Sequence, residues 1–385
     1  MTAGIDPATA RADVDLDALA ANVRALAAHA APAQLMVVVK ADAYGHGMVA
    51  CARAARGAGA DWLGVATPTE ALTLREAGDQ GPLLAWLYGV EEDLSPLVAA
   101  DVDVSVQSVE QVSRLVAAAA VTERRARVHL KLDTGLSRNG ATEPSWTELF
   151  AAAVEAEQVG AVEVVGLWSH LAAADEPGHP SVALQVAAFE RGSSQARAVG
   201  LRPALRHLAN SAATLVVPQA HHDLVRVGIA AYGIDPAPGL AARARVALRP
   251  VMTLRATLAA VKALPAGAGV SYGWTWHAPA PTTVGLVPLG YADGVPRQAG
   301  DRAEVGVGGH RAPVRGRVCM DQLVVELGPD AAAEVGDDVL LFGPGDAGEP
   351  TVADWAGWSD TIGYEIVARI GARVPRRHLG GAENR

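Results

Sequence analysis

Lys40 stands in the segment Val-Val-Lys-Ala-Asp-Ala-Tyr-Gly-His-Gly, directly after a short apolar run. Other ionisable side chains occupy the same kind of place. Lys131, Asp133 and Arg138 lie in Lys-Leu-Asp-Thr-Gly-Leu-Ser-Arg-Asn-Gly, Ser169-His170 and His207-Leu-Ala-Asn210-Ser211 follow two further runs, and Arg226 precedes Gly228-Ile229. A lysine at a strand end ringed by His and Arg suits imine formation with a carbonyl group. Burial and neighbouring positive charge both lower an amine's pKa, and the uncharged amine is the nucleophile. Gly45, Gly47 and Gly228 would let a phosphate approach the backbone, although isolated glycines serve equally well in ordinary turns.

These groups need elements that deliver them to one place. From about Ala33 to Ala244 a short apolar run ends in polar or Gly residues and an Ala-rich helical segment follows, again and again. Eight runs fit this description: Leu35 to Val39, Trp62 to Ala66, Leu83 to Leu87, Val102 to Val106, Val128 to Leu132, Val162 to Trp168, Leu205 to Leu208 and Leu224 to Ile229. Between them, Val109 to Ala120 predicts a helix with Val109, Val112, Val116 and Ala119 on one face and a capping box of Ser108 with Gln111. The expected fold is α/β, a (β/α)8 TIM-type barrel over residues 12–246, which places strand-end side chains at one mouth. Beyond Arg249-Pro250 the pattern changes to strand-like runs separated by Gly and Pro: Met252 to Ala260, Thr283 to Val287, Leu323 to Leu327 and Val339 to Phe342, with a late helix at Ile362 to Ile370. Residues 247–385 therefore read as a smaller, mostly β domain.

The bulk numbers narrow the function. A chain of 385 residues, half of them apolar, can bury a sizeable core and exceeds the usual span of one domain. With 42 acidic against 32 basic residues, a net charge of −10 and no long basic run, the surface argues against nucleic acid or an anionic membrane and for a small molecule. The two cysteines, Cys51 and Cys319, have no zinc or disulfide spacing, so no metal is expected and a reducing, cytoplasmic setting fits. Residues 1–12 read as a polar, Ala-rich lead-in with no secretory pattern. The longest stretch free of Lys, Arg, Asp and Glu, Ala263 to Ala292, is broken by Pro265, Pro279, Pro281 and Pro288 and is no membrane span.

Lys40 to Gly47, Lys131 to Gly140, Val225 to Gly233 and Gly290-Tyr-Ala-Asp-Gly294 together resemble the alanine racemase family, and the likeness covers nearly the whole chain. The resemblance implies a pyridoxal 5'-phosphate enzyme in which the lysine matching Lys40 holds the cofactor as a Schiff base. In Gly269-Val-Ser-Tyr-Gly273, Tyr272 resembles the family's second catalytic base, reaching the barrel mouth of the partner in a head-to-tail homodimer. Val318-Cys-Met-Asp321 resembles the segment that approaches the substrate carboxylate through the Met320 amide, so Met320, Asp321 and Arg138 are its implied substrate-binding residues. Tyr44, Ser211, Gly228, Ile229 and Tyr364 match phosphate-binding positions, with His170, Asn210 and Arg226 also at the cofactor, and Lys131 matches a lysine that is often carbamylated. The implied role is interconversion of L- and D-alanine, supplying D-alanine for peptidoglycan. Leu136, where the family commonly has methionine, and the bulky Trp274 and Trp276 depart from the pattern and bear on the substrate entrance.

Elementary chemistry agrees with the assignment. Loss of the Cα proton of an amino acid is slow unless the carbanion is delocalised, which is what the cofactor ring offers. Racemisation needs one base on each face, and a free phenol, with a pKa of about 10, needs cationic or hydrogen-bonding help to act near neutrality. His170 coupled to Arg226 is the candidate source of that help. An arginine at the pyridine nitrogen leaves it unprotonated and disfavours transamination. Three alternatives stay open: a racemase for another small amino acid such as serine, a non-catalytic pyridoxal-phosphate-binding protein, and a decarboxylase, against which Arg226 counts. Taken singly, Lys40 reads as a solvated strand end, Tyr272 as a packing or surface residue, His170 and His207 as satisfied core histidines, and Arg138 as a surface cap.

Overall fold

The computed structural model describes residues 9–381. Nine strands precede residue 230: β1 (Ala10–Asp15), β2 (Gln34–Val38), β3 (Trp62–Val65), β4 (Leu83–Ala85), β5 (Asp103–Val106), β6 (Ala126–Lys131), β7 (Val162–Trp168), β8 (Leu205–His207) and β9 (Leu224–Val227). β2 to β9 form one parallel eight-stranded sheet in the order β8-β7-β6-β5-β4-β3-β2-β9. Backbone bonds from Asp223 N–H to the Arg206 carbonyl and from Arg226 N–H to the Ala209 carbonyl join its two ends. The expected barrel is borne out. β3 is buried at every position and reads as an unbroken apolar run, whereas β5, equally buried, alternates the polar Asp103 and Ser105 with Val104 and Val106.

Local chemistry sets the crossovers. The helix Pro68–Glu76 starts from a Thr67 capping box with Glu70 and a proline in its first turn. The helix expected after Ser108 spans Val109–Thr122, and the Ser108 side chain accepts from Gln111 N–H at 3.2 Å. The Gln111 side chain, however, accepts from Gln107 N–H at 2.8 Å, so the reciprocal bond of a capping box goes one residue further back. The buried face is Val112, Leu115, Ala118 and Ala119, while Val109 is exposed.

The rest of the chain is mostly β: β10 (Met252–Thr257), β11 (Ala260–Leu264), β12 (Gly269–Val270), β13 (Trp276–His277), β14 (Thr282–Val287), β15 (Glu304–Val307), β16 (His310–Pro313), β17 (Leu323–Gly328), β18 (Asp338–Phe342) and β19 (Arg376–Leu379). A six-stranded sheet runs β16-β15-β18-β10-β1-β19 and a three-stranded one β11-β14-β17. β10 alternates buried and half-buried positions, as a one-sided strand does. The run expected from Met252 to Ala260 is two strands, because the chain bends at Ala259 and starts β11 at Ala260. The late helix is shorter than expected, Gly363–Ala368, and a helix at Val352–Trp358 was not foreseen.

β1 is a further correction. Residues 1–8 lie outside the described residues, but Ala10–Asp15, which sequence reading divided between the lead-in and the barrel, pairs antiparallel with β10 and parallel with β19. Ala12 and Val14 point into the core while Asp13 takes ion pairs from Arg11, Arg255 and Arg377 at 3.0, 3.4 and 2.9 Å. Charges on its outer face hide the strand from an apolar count. Among the described residues no helix is long and apolar enough to cross a membrane.

Candidate active site

Lys40 follows β2 at the start of an unusual turn. Ala41, Asp42, Ala43 and Tyr44 all adopt left-handed backbone angles, with φ between 52 and 55°. Such residues cost roughly 1–2 kcal/mol each, so the turn persists only because its surroundings determine it. Ala41 N–H donates to Glu70 Oε1 at 2.7 Å, Ala43 N–H to the Val39 carbonyl at 2.8 Å, and Met48 N–H to Asp42 Oδ1 at 2.7 Å. From the C-terminal half, Arg376 Nε donates to the Gly45 carbonyl at 2.9 Å. The braced turn aims Lys40 and Tyr44 into one cavity at the C-terminal mouth of the barrel.

That cavity has a volume of about 560 Å³, and Lys40, Tyr44, Lys131, Arg138, His170, Asn210, Ser211, Arg226, Gly228, Ile229 and Tyr364 all line it. Eleven expected site residues from scattered positions thus converge. Burial, then the Arg138 charge, holds the Lys40 amine below its ordinary pKa. Burial and the charges of Arg226 and Arg138 bring Lys131 down to about 7, and its Nζ sits 4.3 Å over the Trp168 ring. Arg138 remains exposed at the rim; the loop carrying it is held by Asp133 Oδ1, which accepts from Gly135 and Ser137 N–H.

Arg226 is buried, and burial lowers its pKa to about 9. Its Nη2 donates to the Ser169 carbonyl at 2.7 Å and to His170 Nδ1 at 3.2 Å; its Nη1 donates to the His207 carbonyl at 2.9 Å and to His207 Nδ1 at 3.2 Å. Desolvation and the surrounding cations press the His170 pKa well below its ordinary value, so the ring is neutral. Since arginine only donates, His170 Nδ1 accepts and its proton is on Nε2. At the other end, Ser211 Oγ accepts from Gly228 N–H at 2.9 Å, leaving its own hydroxyl proton to donate. A Cβ on Gly228 would lie 2.3 Å from Tyr44 Oη, so glycine there makes room for the phenol. Burial raises the pKa of Tyr44 and takes Tyr364 up to about 12, keeping both hydroxyls protonated as donors.

Three expected residues are elsewhere. Tyr272 is 70% exposed, Met320 is 53% exposed and Asp321 pairs with Arg373 at 2.8 Å; none lines the cavity of its own chain. They share one face of the C-terminal half, where Ser271 Oγ donates to the Arg317 carbonyl at 2.6 Å and backbone bonds tie Tyr291 to Cys319 and Ala292 to Met320. His207 does not reach the cavity either and is buried beneath it. Conversely, sequence reading gave no role to Trp86, Trp168 or Asn139, which do line it. Asn139 directly follows Arg138 and has a buried Oδ1 without a partner, and Trp168 closes the strand before His170, so adjacency was the usable signal.

Residues 14–236 match the family described as alanine racemase, N-terminal domain, and residues 251–378 match alanine racemase, C-terminal domain. The chain belongs to the alanine racemase family. An alanine racemase of Streptomyces coelicolor is 54% identical over 375 residues, 96% of each chain. One from Frankia casuarinae is 53% identical over 366 residues, 95% of each. The crystal structure of alanine racemase from D-cycloserine-producing Streptomyces lavendulae superposes with a TM-score of 0.96 at 52% identity, covering 98% of this chain and 99% of that one. Family membership and fold therefore agree with the convergence of residues at the barrel mouth.

Proposed function

We propose that the protein is a pyridoxal-phosphate-dependent isomerase that interconverts L- and D-alanine, with Lys40 and Tyr272 as its two bases, working as a cytoplasmic head-to-tail homodimer that supplies D-alanine for peptidoglycan. The observation that carries this is the Lys40 amine, held below its ordinary pKa, opening into a cavity with protonated donors at the far end. A phosphorylated aldehyde fits that donor set. Lys40 would anchor the aldehyde; Tyr44, Ser211, Gly228, Ile229 and Tyr364 would hold the phosphate, Asn210 and His170 would flank the ring, and Arg226 would face its nitrogen. When bound, the cofactor supplies a conjugated ring that delocalises the electron pair left at Cα.

The chain's own residues do the rest. Lys40, its pKa lowered by burial and by Arg138, takes or returns the Cα proton on one face. Tyr272 of the partner subunit serves the other, and His170 is ready to favour its phenolate, since Arg226 fixes the imidazole with Nε2–H as the free donor. Arg226 stays protonated at neutral pH and so donates to the ring nitrogen without giving it a proton. Arg138 and the Met320 amide of the partner subunit would bind the substrate carboxylate, with Asp321 beside them at the substrate. Lys131, with a pKa of about 7, is uncharged often enough to add carbon dioxide, releasing a proton and gaining a carbamate charge beside Arg138. The exposure of Tyr272, Trp274, Tyr291 and Met320 in the single chain supports a surface meant to be covered.

The test is a panel of small amino acids incubated with the holoenzyme and followed by circular dichroism. Decay of the L-alanine signal faster than that of L-serine is expected. Persistent optical activity in alanine, with loss in another substrate, assigns the protein to that substrate instead.

A further inference from the structure

A polar chain runs from Arg226 through the barrel interior, beyond any group that lines the cavity. Arg226 Nη1 meets His207 Nδ1 at 3.2 Å, His207 Nε2 meets His129 Nδ1 at 2.8 Å, and His129 Nε2 meets Asp103 Oδ2 at 3.0 Å. Asp103 Oδ1 then accepts from Arg127 Nε at 2.8 Å. Asp103, His129 and His207 are almost wholly buried. Below them the barrel is filled by the apolar cluster of Met36, Trp62, Leu84, Val165, Leu205 and Leu224.

The fold makes room for this chain. His129 faces the barrel interior as Lys131 does two residues later on β6, and an extra residue in β7, Val165, brings Gly166 opposite His129. A Cβ on Gly166 would lie 2.2 Å from His129 Nδ1, so only glycine admits the ring there. Trp168 stacks on His207 at 5.5 Å and 4° and bonds Ser105 through its indole N–H at 3.0 Å.

The ends of the chain dictate its protons. A guanidinium only donates, so His207 Nδ1 must accept and His207 Nε2 must carry a proton. His129 Nδ1 therefore accepts, and its Nε2–H donates to Asp103, whose carboxylate only accepts. Read from either end, the donor order is the same. We infer that Asp103, His129 and His207 form a positioning relay that fixes Arg226 in charge and orientation at the cofactor ring, a role that rests on the function proposed above. Without the relay, Arg226 Nη1 would keep only the His207 carbonyl, and the guanidinium would be held through Nη2 by Ser169, Leu208 and His170 alone, one acceptor short of the set that fixes its tilt.

Asp103→Asn separates this relay from mere packing. Because Arg127 can only donate, the amide oxygen must face Arg127 and the amide nitrogen must face His129. Both imidazoles then invert, and His207 Nδ1–H confronts Arg226 N–H, the kind of tautomer error an Asp→Asn change produces in a Ser-His-Asp triad. In holoenzyme reconstituted with pyridoxal phosphate and ¹⁵N-histidine, wild type is expected to show neutral Nε2–H rings at His129 and His207, and Asp103→Asn neutral Nδ1–H rings. With the inversion kcat for alanine should fall roughly ten- to a hundredfold, as expected for a buried donor left facing a donor, with KM little changed. A doubly protonated or Nδ1–H ring in the wild type overturns the relay, as does inversion without loss of kcat or loss of kcat without inversion. If Asp103→Asn fails to fold, the pair His207→Gln and His207→Leu decides: the carboxamide can accept from Arg226 and donate to His129, so it should keep most of the kcat that leucine loses, and equal loss overturns the idea. Should wild-type holoenzyme leave L-alanine untouched, the proposed function fails while the ring tautomers still judge the relay.

Discussion

The barrel mouth and the face carrying Tyr272 and Met320 are built on opposite terms. At the mouth, the expected site residues other than Arg138 are buried or half-buried and the machinery is bonded to its own chain: Ser211 to Gly228, Arg226 to His170 and His207, the Lys40 turn to Glu70 and Arg376. On the other face, Tyr272 and Met320 stand exposed with only their backbone neighbours fixed. One half of the proposed site is complete within a chain, and in the dimer we propose the other is completed by a second copy. If that contrast is right, mutations at the two places should fail differently.

The largest effect belongs to Lys40. Lys40→Ala should remove the near-ultraviolet and visible absorbance of the covalently anchored cofactor together with turnover, a loss of at least about 10⁴-fold, since both anchor and base disappear. Retained absorbance and turnover would sink the assignment of the amine. Tyr272→Ala should instead keep the absorbance and lose roughly 10²–10⁴ in kcat, the usual worth of a positioned proton transfer. The two defects also differ in how they combine. Mixed one to one, Lys40→Ala and Tyr272→Ala chains should form mixed dimers with one intact site each and recover roughly a quarter of the wild-type rate if assembly is random. A mixture as inactive as its parents would show that each site uses its own chain's tyrosine.

The same contrast explains what is legible in the amino-acid sequence. Strand ends carry their chemistry in order along the chain, so Lys40, Lys131, His170, Ser211 and Arg226 can be collected from residue order alone, and the eight recurring short apolar runs separated by Ala-rich helical segments announce the barrel. What stays hidden depends on contacts distant in sequence. β1 carries Arg11 and Asp13 on its outer face and pairs with strands more than 200 residues away. The left-handed turn at Ala41 to Tyr44 has no glycine inside it to betray it. His129 shares its strand face with Lys131, but the room for its ring comes from Gly166 and from the extra residue Val165 that sets Gly166 opposite it, neither of which a periodicity shows. Trp86 and Trp168 look like core residues and are walls of the cavity.

A subtler break concerns the phosphate end of the mouth. Gly228→Ala brings a methyl group to 2.3 Å from Tyr44 Oη, so the phenol must swing away from the wall it shares with Ser211. Cofactor affinity, measured by fluorescence titration of the apoenzyme, should fall about ten- to a hundredfold, the worth of one or two displaced hydrogen bonds to a charged group. kcat at saturating cofactor should change far less. An unaltered affinity would place the phosphate elsewhere in the cavity.

The smallest expected effect tests whether the mouth tolerates its own cations. Lys131 is buried with a pKa near 7 in the folded chain, well below that of an unfolded lysine, so folding at lower pH must either bury the charge or expel its proton. The sign follows from linkage: the penalty is fully present below about pH 7 and fades as the pH rises toward the unfolded value near 10.4. Lys131→Met should therefore stabilise the apoprotein at pH 6, by about 1–2 kcal/mol in urea denaturation, and lose that advantage by pH 10. The measurement belongs in buffer freed of carbon dioxide. Adding bicarbonate at pH 8 should then stabilise the wild type and leave Lys131→Met unchanged, because only an amine can take up a carbamate charge beside Arg138. A substitution that is neutral at pH 6 would mean that the charge on Lys131 is already well solvated, and the cationic mouth would then be less strained than its burial implies.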